Sequence, residues 1–387
     1  MKEILYTILM KIFLFLGFAF SLIFFSCSTN SPENDSQNEL ESIVCVFYGI
    51  NGLGDLTYND TINTGVTKAE ADFNFYKISY SPKSWTVAED YMNFIFAQIQ
   101  NSFASKYKVF CIFADSHYIQ LLEKNELFAK NLPMTTLLFN VQQSDIPESI
   151  SDKVHSVFIP YYGGCYAAGK ISKEISKTLQ QPYEPFIILA DENNRTLFEC
   201  TQFFLKGFGL TPPASVTEAD KSKSDYNYLF LSRVLGDSDS VSGYDMGDLL
   251  YKILGIQNLE NTGKNFIILP ICGGSTLGIL HYADDKLELP YDIIGFDIDM
   301  YNYAPDSVVF SVIVDADKVV YECIEQWKKG KLPKSQIKTL EEGYTYILAY
   351  ADDKKFPFDD KYFNAIIEEA VQVENERLLE TGENGKS

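Results

Sequence analysis

The chain has 387 residues, 46% of them hydrophobic and 22% charged, which is enough for two domains with cores of their own. Its formal net charge of −21 excludes binding to a nucleic-acid backbone, which needs clustered Lys and Arg, and adhesion to anionic lipid through protein charge. Twenty-nine Phe and 25 Tyr leave enough rings for stacking sites as well as cores.

Lys2 and Lys11 precede an apolar run, Ile12 to Phe25, and then Ser26-Cys27-Ser28. The run is too short and too early for a membrane span, and polar sequence follows at once. Phe24-Phe25-Ser26-Cys27 resembles a bacterial lipobox, with a small residue before the cysteine and bulkier residues than usual before that. The expectation is a signal peptide over 1–26, lipidation of Cys27 and a polar tether over 27–40, placing the protein on the bacterial cell envelope. An ordinary signal peptide with an incidental cysteine is the alternative. The other six cysteines are widely spaced with no CxxC pair, and several sit in apolar runs, which reads as packing.

From Ile43 onward, short apolar runs alternate with longer helical patterns. The stretch Ile43–Asp60 is an apolar, β-branched and aromatic run broken by Gly49, Gly52 and Gly54 and followed by Asp55, Thr57, Asn59 and Asp60. That is strand, glycine-rich turn, polar cluster and helix, the layout of a ligand loop at the carboxyl edge of a parallel sheet. Further strands are predicted at Asn74–Ile78, Val109–Ile112, Thr135–Asn140 and Val154–Pro160, with helices near Asp60–Asp72, Ala88–Phe103 and Tyr118–Lys130. A helix opens at Tyr161 and the plan restarts. Strands follow at Phe186–Ala190, Tyr228–Leu231, Phe266–Pro270, Tyr291–Phe296, Val308–Val314 and Tyr344–Ala349. Helices are predicted at Thr196–Phe208, Tyr244–Leu254, Ser275–Ala283, Asp317–Lys329 and Lys361–Leu379.

The fold class is therefore α/β with two lobes, each a parallel sheet flanked by helices. The expected limits are 41–160 with 314–331 for the first lobe and 161–313 with 332–350 for the second. Residues 351–387 make a C-terminal helix and tail.

Polar clusters follow strands at Ala114-Asp115-Ser116-His117, Asp191-Glu192-Asn193-Asn194-Arg195, Cys272-Gly273-Gly274-Ser275-Thr276 and Asp297-Ile298-Asp299. In a doubly wound sheet all of these fall at the ligand-binding edge. The candidate ligand contacts are Asp55, Tyr58, Asn59, Asp115, His117, Asn193, Gly273, Gly274, Ser275 and Asp297. Asn193 and Ser275 are equally read as helix caps. There is no P-loop lysine, GxSxG elbow or HExxH, and the three histidines lack metal-ligand spacing, so no catalytic residue, cofactor or metal is expected.

Gly52-Leu53-Gly54-Asp55-Leu56-Thr57-Tyr58-Asn59 is similar to the GGxDDxSFN signature of the basic membrane protein group, lipoproteins of the type I periplasmic-binding-protein fold. Tyr162 to Gly169 resembles that group's mid-chain helix start, Cys272-Gly273-Gly274-Ser275 its Gly-rich loop, and Ile294-Gly295-Phe296-Asp297-Ile298-Asp299 its GVDxD strand end. The resemblance implies capture of a purine nucleoside between two lobes for uptake by an ABC-type permease. Tyr58 would stack on the base and Asp297 would hold ribose hydroxyls. The chain departs at Gly54, where the group has an acidic residue, at Val314-Asp315, where it has a lysine, and at Met300, where glutamine is common. A ligand-sensing surface lipoprotein without a transporter, and a nucleoside or sugar hydrolase, are the rival functions.

Overall fold

The computed structural model describes residues 41–50, 52–179, 182–192, 194–219, 226–231, 265–285 (281–285 as backbone alone), 291–350 and 358–382. Cys27 with its leader and tether, Asn193 and the helix expected at Tyr244–Leu254 lie outside them. Twelve strands are described: β1 (Glu41–Phe47), β2 (Tyr76–Tyr80), β3 (Tyr107–Phe113), β4 (Thr135–Phe139), β5 (His155–Phe158), β6 (Tyr183–Leu189), β7 (Asn227–Phe230), β8 (Asn265–Ile271), β9 (Tyr291–Asp297), β10 (Val308–Val314), β11 (Ser335–Ile337) and β12 (Thr345–Ala349).

They form two six-stranded sheets, ordered β11-β5-β4-β3-β1-β2 and β12-β10-β9-β8-β6-β7. Every pairing in the first sheet is parallel. The second is parallel except where β12 runs antiparallel to β10. This is the expected two-part α/β architecture. Strand β1 shows why its sequence is apolar throughout. Val44 and Val46 face one buried cluster, while Ile43, Cys45 and Phe47 face another on the opposite side of the sheet. Alternate side chains point to opposite faces, so a strand covered on both has no polar phase.

The chain passes between the sheets three times. Helix α4 (Tyr162–Thr178) follows β5 and leads into β6, and α7 (Ala316–Lys328) follows β10 but packs on α1 (Tyr58–Phe73) beside the first sheet. After α7 the chain adds β11 to the first sheet beside β5, then returns to the second as β12. This corrects the expected lobe limits, which place 332–350 wholly in the second lobe. Ser335–Ile337 instead pairs with Ser156–Phe158, and the last crossing lies between Ile337 and Thr345. Three residues are too few to show a strand pattern.

Two helices also differ from expectation. The one predicted over Tyr118–Lys130 breaks at Asn125, whose backbone is extended and whose side chain accepts from Phe128 N at 2.9 Å, giving α3 (Tyr118–Lys124) and a separate short turn. Helix α2 (Trp85–Gln98) starts at a Ser84 cap and widens into a looser turn over Ile99–Phe103. Helix α4 crosses α5 (Arg195–Phe208) at very close range. A Cβ at Gly169 would lie 2.0 Å from the Phe204 carbonyl oxygen, and one at Gly207 would lie 2.1 Å from that of Tyr166. Six cysteines are buried and unbridged among the described residues, as packing residues would be.

The C-terminal helix α8 (Asp360–Glu380) is N-capped by Asp359 and lies along α4. It carries Glu374, which is only 1% exposed. The Glu374 carboxylate accepts from Gly163 N at 2.9 Å, at the otherwise uncapped start of α4, and from Leu340 N at 2.8 Å, in the third crossing. Burial pushes its pKa up to about 7 against the pull of those two hydrogen bonds. The folded chain thus binds this proton more tightly than the unfolded chain. Stability is fullest below the ordinary glutamate range and declines as pH rises towards 7, by about 1.4 kcal/mol per unit of displacement. We expect the urea midpoint to fall between about pH 5 and 7, with a shallower fall in Glu374→Gln. Parallel pH profiles for the two proteins would contradict this role.

Candidate functional site

Polar loops leave the carboxyl ends of the parallel strands, and the two sheets turn these edges towards one cavity of about 320 Å³. Its walls come from both sheets. Tyr58 opens α1 after β1; Asp115 and Ser116 follow β3; Phe139, Asn140, Gln142 and Asp145 end or follow β4. Tyr161 sits on the first crossing. From the second sheet come Asn194 and Arg195 after β6, Cys272 and Gly273 after β8, and Phe296 and Asp297 at the end of β9.

Of the candidate contacts, Tyr58, Asp115, Gly273 and Asp297 line this cavity. Asp55 and Asn59 do something else. The Asp55 carboxylate accepts from Thr57 N (2.9 Å), Asn59 N (3.1 Å), Asp60 N (3.2 Å) and Asn59 Nδ2 (2.9 Å), while Asn59 Oδ1 accepts from Gly49 N at 3.3 Å. Asp60 in turn accepts from Gly54 N and Leu56 N. These side chains shape the loop and start α1. Gly274 belongs to the same closure. A Cβ there would sit 3.1 Å from the backbone and Cβ of Asp55, so this glycine lets the edge of one sheet meet the other. Ser275 is buried in the turn that leads into α6 (Thr276–Asp285), and the His117 ring stacks on Trp85 at 4.0 Å; neither lines the cavity.

Phe139, Asn140, Gln142 and Asp145 also line the cavity and are not among the candidate contacts, although the polar run Asn140–Asp145 follows β4 as polar residues follow β3 and β9. Asn140 and Asp297 share a further feature, left-handed backbone at φ 59° and 70°. Asn and Asp tolerate this conformation better than other non-glycine residues, and it turns the chain sharply at the strand end. Asn140 donates to the Tyr161 hydroxyl at 2.7 Å and accepts from Ile159 N at 3.1 Å, which ties the β4 edge to the first crossing.

Acidity dominates the electrostatics. Burial raises the Asp297 carboxyl to about 7, and the Asp55 charge adds to it. Asp115 is pushed up to about 6 by burial, against the hydrogen bond from His117 N at 2.8 Å, with Asp191 raising it further. Burial also raises the Tyr58 hydroxyl, as do the charges of Asp115, Asp297 and Asp55; an Asn140 hydrogen bond opposes them. No hydrogen bond reaches the Asp297 carboxylate from the described residues. Among the described residues Arg195 is the one basic side chain on the wall, and its Nε donates to Glu199 at 2.9 Å. Glu199 also takes Arg377 Nη2 from α8 at 2.9 Å. Among the described residues no group of three or more His, Cys, Asp or Glu side chains is placed to hold a metal ion, and no helix is long and apolar enough to cross a membrane.

Solved structures show the fold. A solute-binding protein of an ABC transporter system from Aeropyrum pernix K1 superposes with a TM-score of 0.59 at 15% identity, covering 88% of this chain and 86% of that one. Another from Conexibacter woesei gives 0.53 at 13% identity over 90% and 99%. A sugar-binding transcriptional regulator from Enterococcus faecalis gives 0.52 at 12% identity over 83% and 100%. At such identities the likeness shows the fold, a two-lobed one of the type I periplasmic-binding kind. Residues 257–376 match the Bmp family model, described as ABC transporter substrate-binding protein PnrA-like. Basic membrane protein C of Borreliella burgdorferi is 30% identical over 112 residues, 28% of this chain and 29% of that protein. The chain thus aligns with under a third of its curated relative. Family match, relative and fold together bear out the resemblance to the basic membrane protein group.

The electrostatics make a direct expectation. Carboxyl carbon NMR should give Asp297 a midpoint near 7, and Asp55→Asn should lower it by removing a neighbouring negative charge. A midpoint in the ordinary aspartate range would contradict the buried environment described for this carboxyl.

Proposed function

We propose that the protein is an extracytoplasmic solute-binding protein that takes one small polar ligand between its two sheets and presents it to an ABC-type permease. One observation carries this: a ligand-sized cavity whose walls come from the strand ends of both sheets. A ligand touching both favours the closed arrangement by its differential affinity for it. The crossings near Pro160, Asp315 and 338–344 are the hinge. Each is held by backbone bonds between neighbouring crossings, Lys338 N to Phe158 O and Asp315 N to Tyr344 O, both at 2.9 Å. The lobes on this reading are 41–160 with 315–337, and 161–314 with 345–350.

The ligand is a nucleoside-sized solute, with Tyr58 as the stacking face and Asp297 as the acceptor. Base–ring stacking is worth about 1–3 kcal/mol. A hydrogen bond to a charged acceptor is worth about 1.5–3 kcal/mol. Asp115 and Gly273 are the further contacts from the original candidates, joined by Asn140 and Gln142. A lipid on Cys27 would hold the protein at the envelope, each buried CH₂ contributing about 0.8 kcal/mol. Binding without chemical conversion is the reading the shared fold of solute-binding proteins supports.

Native mass spectrometry of the purified protein should show a small molecule retained at one per chain. With that molecule in hand, calorimetric titration should show Tyr58→Phe near wild type. Tyr58→Ala and Asp297→Ala should be about ten- to a hundred-fold weaker. Wild-type affinity in both alanine variants would remove this cavity from the binding site. At the envelope, Cys27→Ala should move the protein from the membrane to the soluble fraction; retention in membranes would overturn the anchor.

A further inference from the structure

Taken on the solute-binding reading above, the cavity says something more about its ligand. Asp115 arrives from the first sheet and Asp297 from the second, and both line the same cavity. One oxygen of Asp115 takes the His117 N–H, and no described residue donates to Asp297. Among the described residues the one basic side chain on the wall is Arg195, which is ion-paired with Glu199, a residue not on the wall. The wall also carries a third carboxyl, Asp145, which feels the Arg195 charge, together with the rings of Tyr58, Phe139, Tyr161 and Phe296 and the amides of Asn140 and Gln142. Among the described residues the wall therefore carries three carboxyls, Asp115 and Asp145 from the first sheet and Asp297 from the second, against one arginine, with aromatic rings between them.

A neutral ligand closing over these carboxylates would strip them of water and return only hydrogen bonds. Uncompensated burial of charge is strongly unfavourable. A cation between them restores the balance, and ring faces attract a positive group held against them. The net charge of −21 also draws cations towards the cleft. We propose that the ligand is a cation, a flat ring bearing or carrying a positive nitrogen seated between Asp115 and Asp297. The raised carboxyls agree with this. Burial disfavours the charged form of each, and a cation between them would offset that cost.

The test uses pairs of probes matched in shape and differing in charge: adenosine with 1-methyladenosine, and tryptophol with tryptamine. Each is titrated calorimetrically at neutral pH into the purified full chain. In at least one pair the cationic member should bind more tightly by about ten-fold or more, which corresponds to about 1.4 kcal/mol. That advantage should shrink as salt rises from about 50 mM to about 500 mM. It should be lost in Asp297→Asn, with the melting midpoint reported beside it as the check on folding. Equal or tighter binding of the neutral members overturns the cation while leaving the solute-binding reading standing. Binding of none of the four also overturns it. The wider reading then stands or falls separately, on whether native mass spectrometry finds a retained solute.

Discussion

The cleft depends on a buried carboxylate. Asp55 is 1% exposed, and all four of its hydrogen-bond donors are N–H groups of its own loop. That satisfaction lets a charge survive in the interior, although burial still raises its pKa. The same residue closes the turn after β1, starts α1 so that Tyr58 stands at the cavity, and presents its backbone to Gly274 across the cleft. It also raises the Asp297 carboxyl on the other sheet. One loop thus sets the geometry of one wall and the electrostatics of the other. Removing its side chain would disturb the site without removing a ligand contact.

A second carboxylate does related work behind the cleft. Glu374 takes the free N–H at the start of α4 and one from the third crossing, so α8 ties together the second lobe and a turn of the hinge. Arg377, one turn further along α8, reaches Glu199, the residue that holds Arg195 at the cavity wall. The C-terminal helix is thereby connected to the site through two polar contacts, although it contributes nothing to the lining.

Much of this was legible in the residues. Apolar runs such as Ile43–Tyr48, and Val308–Val314 with its single Ser311, mark strands covered on both faces, and polar clusters after them mark the ligand edge. What stayed hidden has physical causes. β11 is three residues long and makes its structure by pairing with β5, which leaves no periodic trace. The split at Asn125 is a cap inside an otherwise helical pattern. Asp55 and Asn59 have the chemistry of ligand contacts, but their hydrogen-bonding capacity is consumed locally, and residue type alone does not show where a side chain points. Conversely, Asn140 and Gln142 follow their strand in the same manner as Asp115, and only the packing of the two sheets reveals that they share its cavity.

The account stands on a ligand held by both sheets at once. Its most direct test is a crystal structure of the protein with the small molecule it retains through purification. The account predicts that molecule against the Tyr58 ring, within hydrogen-bonding distance of both Asp115 and Asp297. A molecule seated elsewhere, or touching residues of one sheet alone, would contradict it.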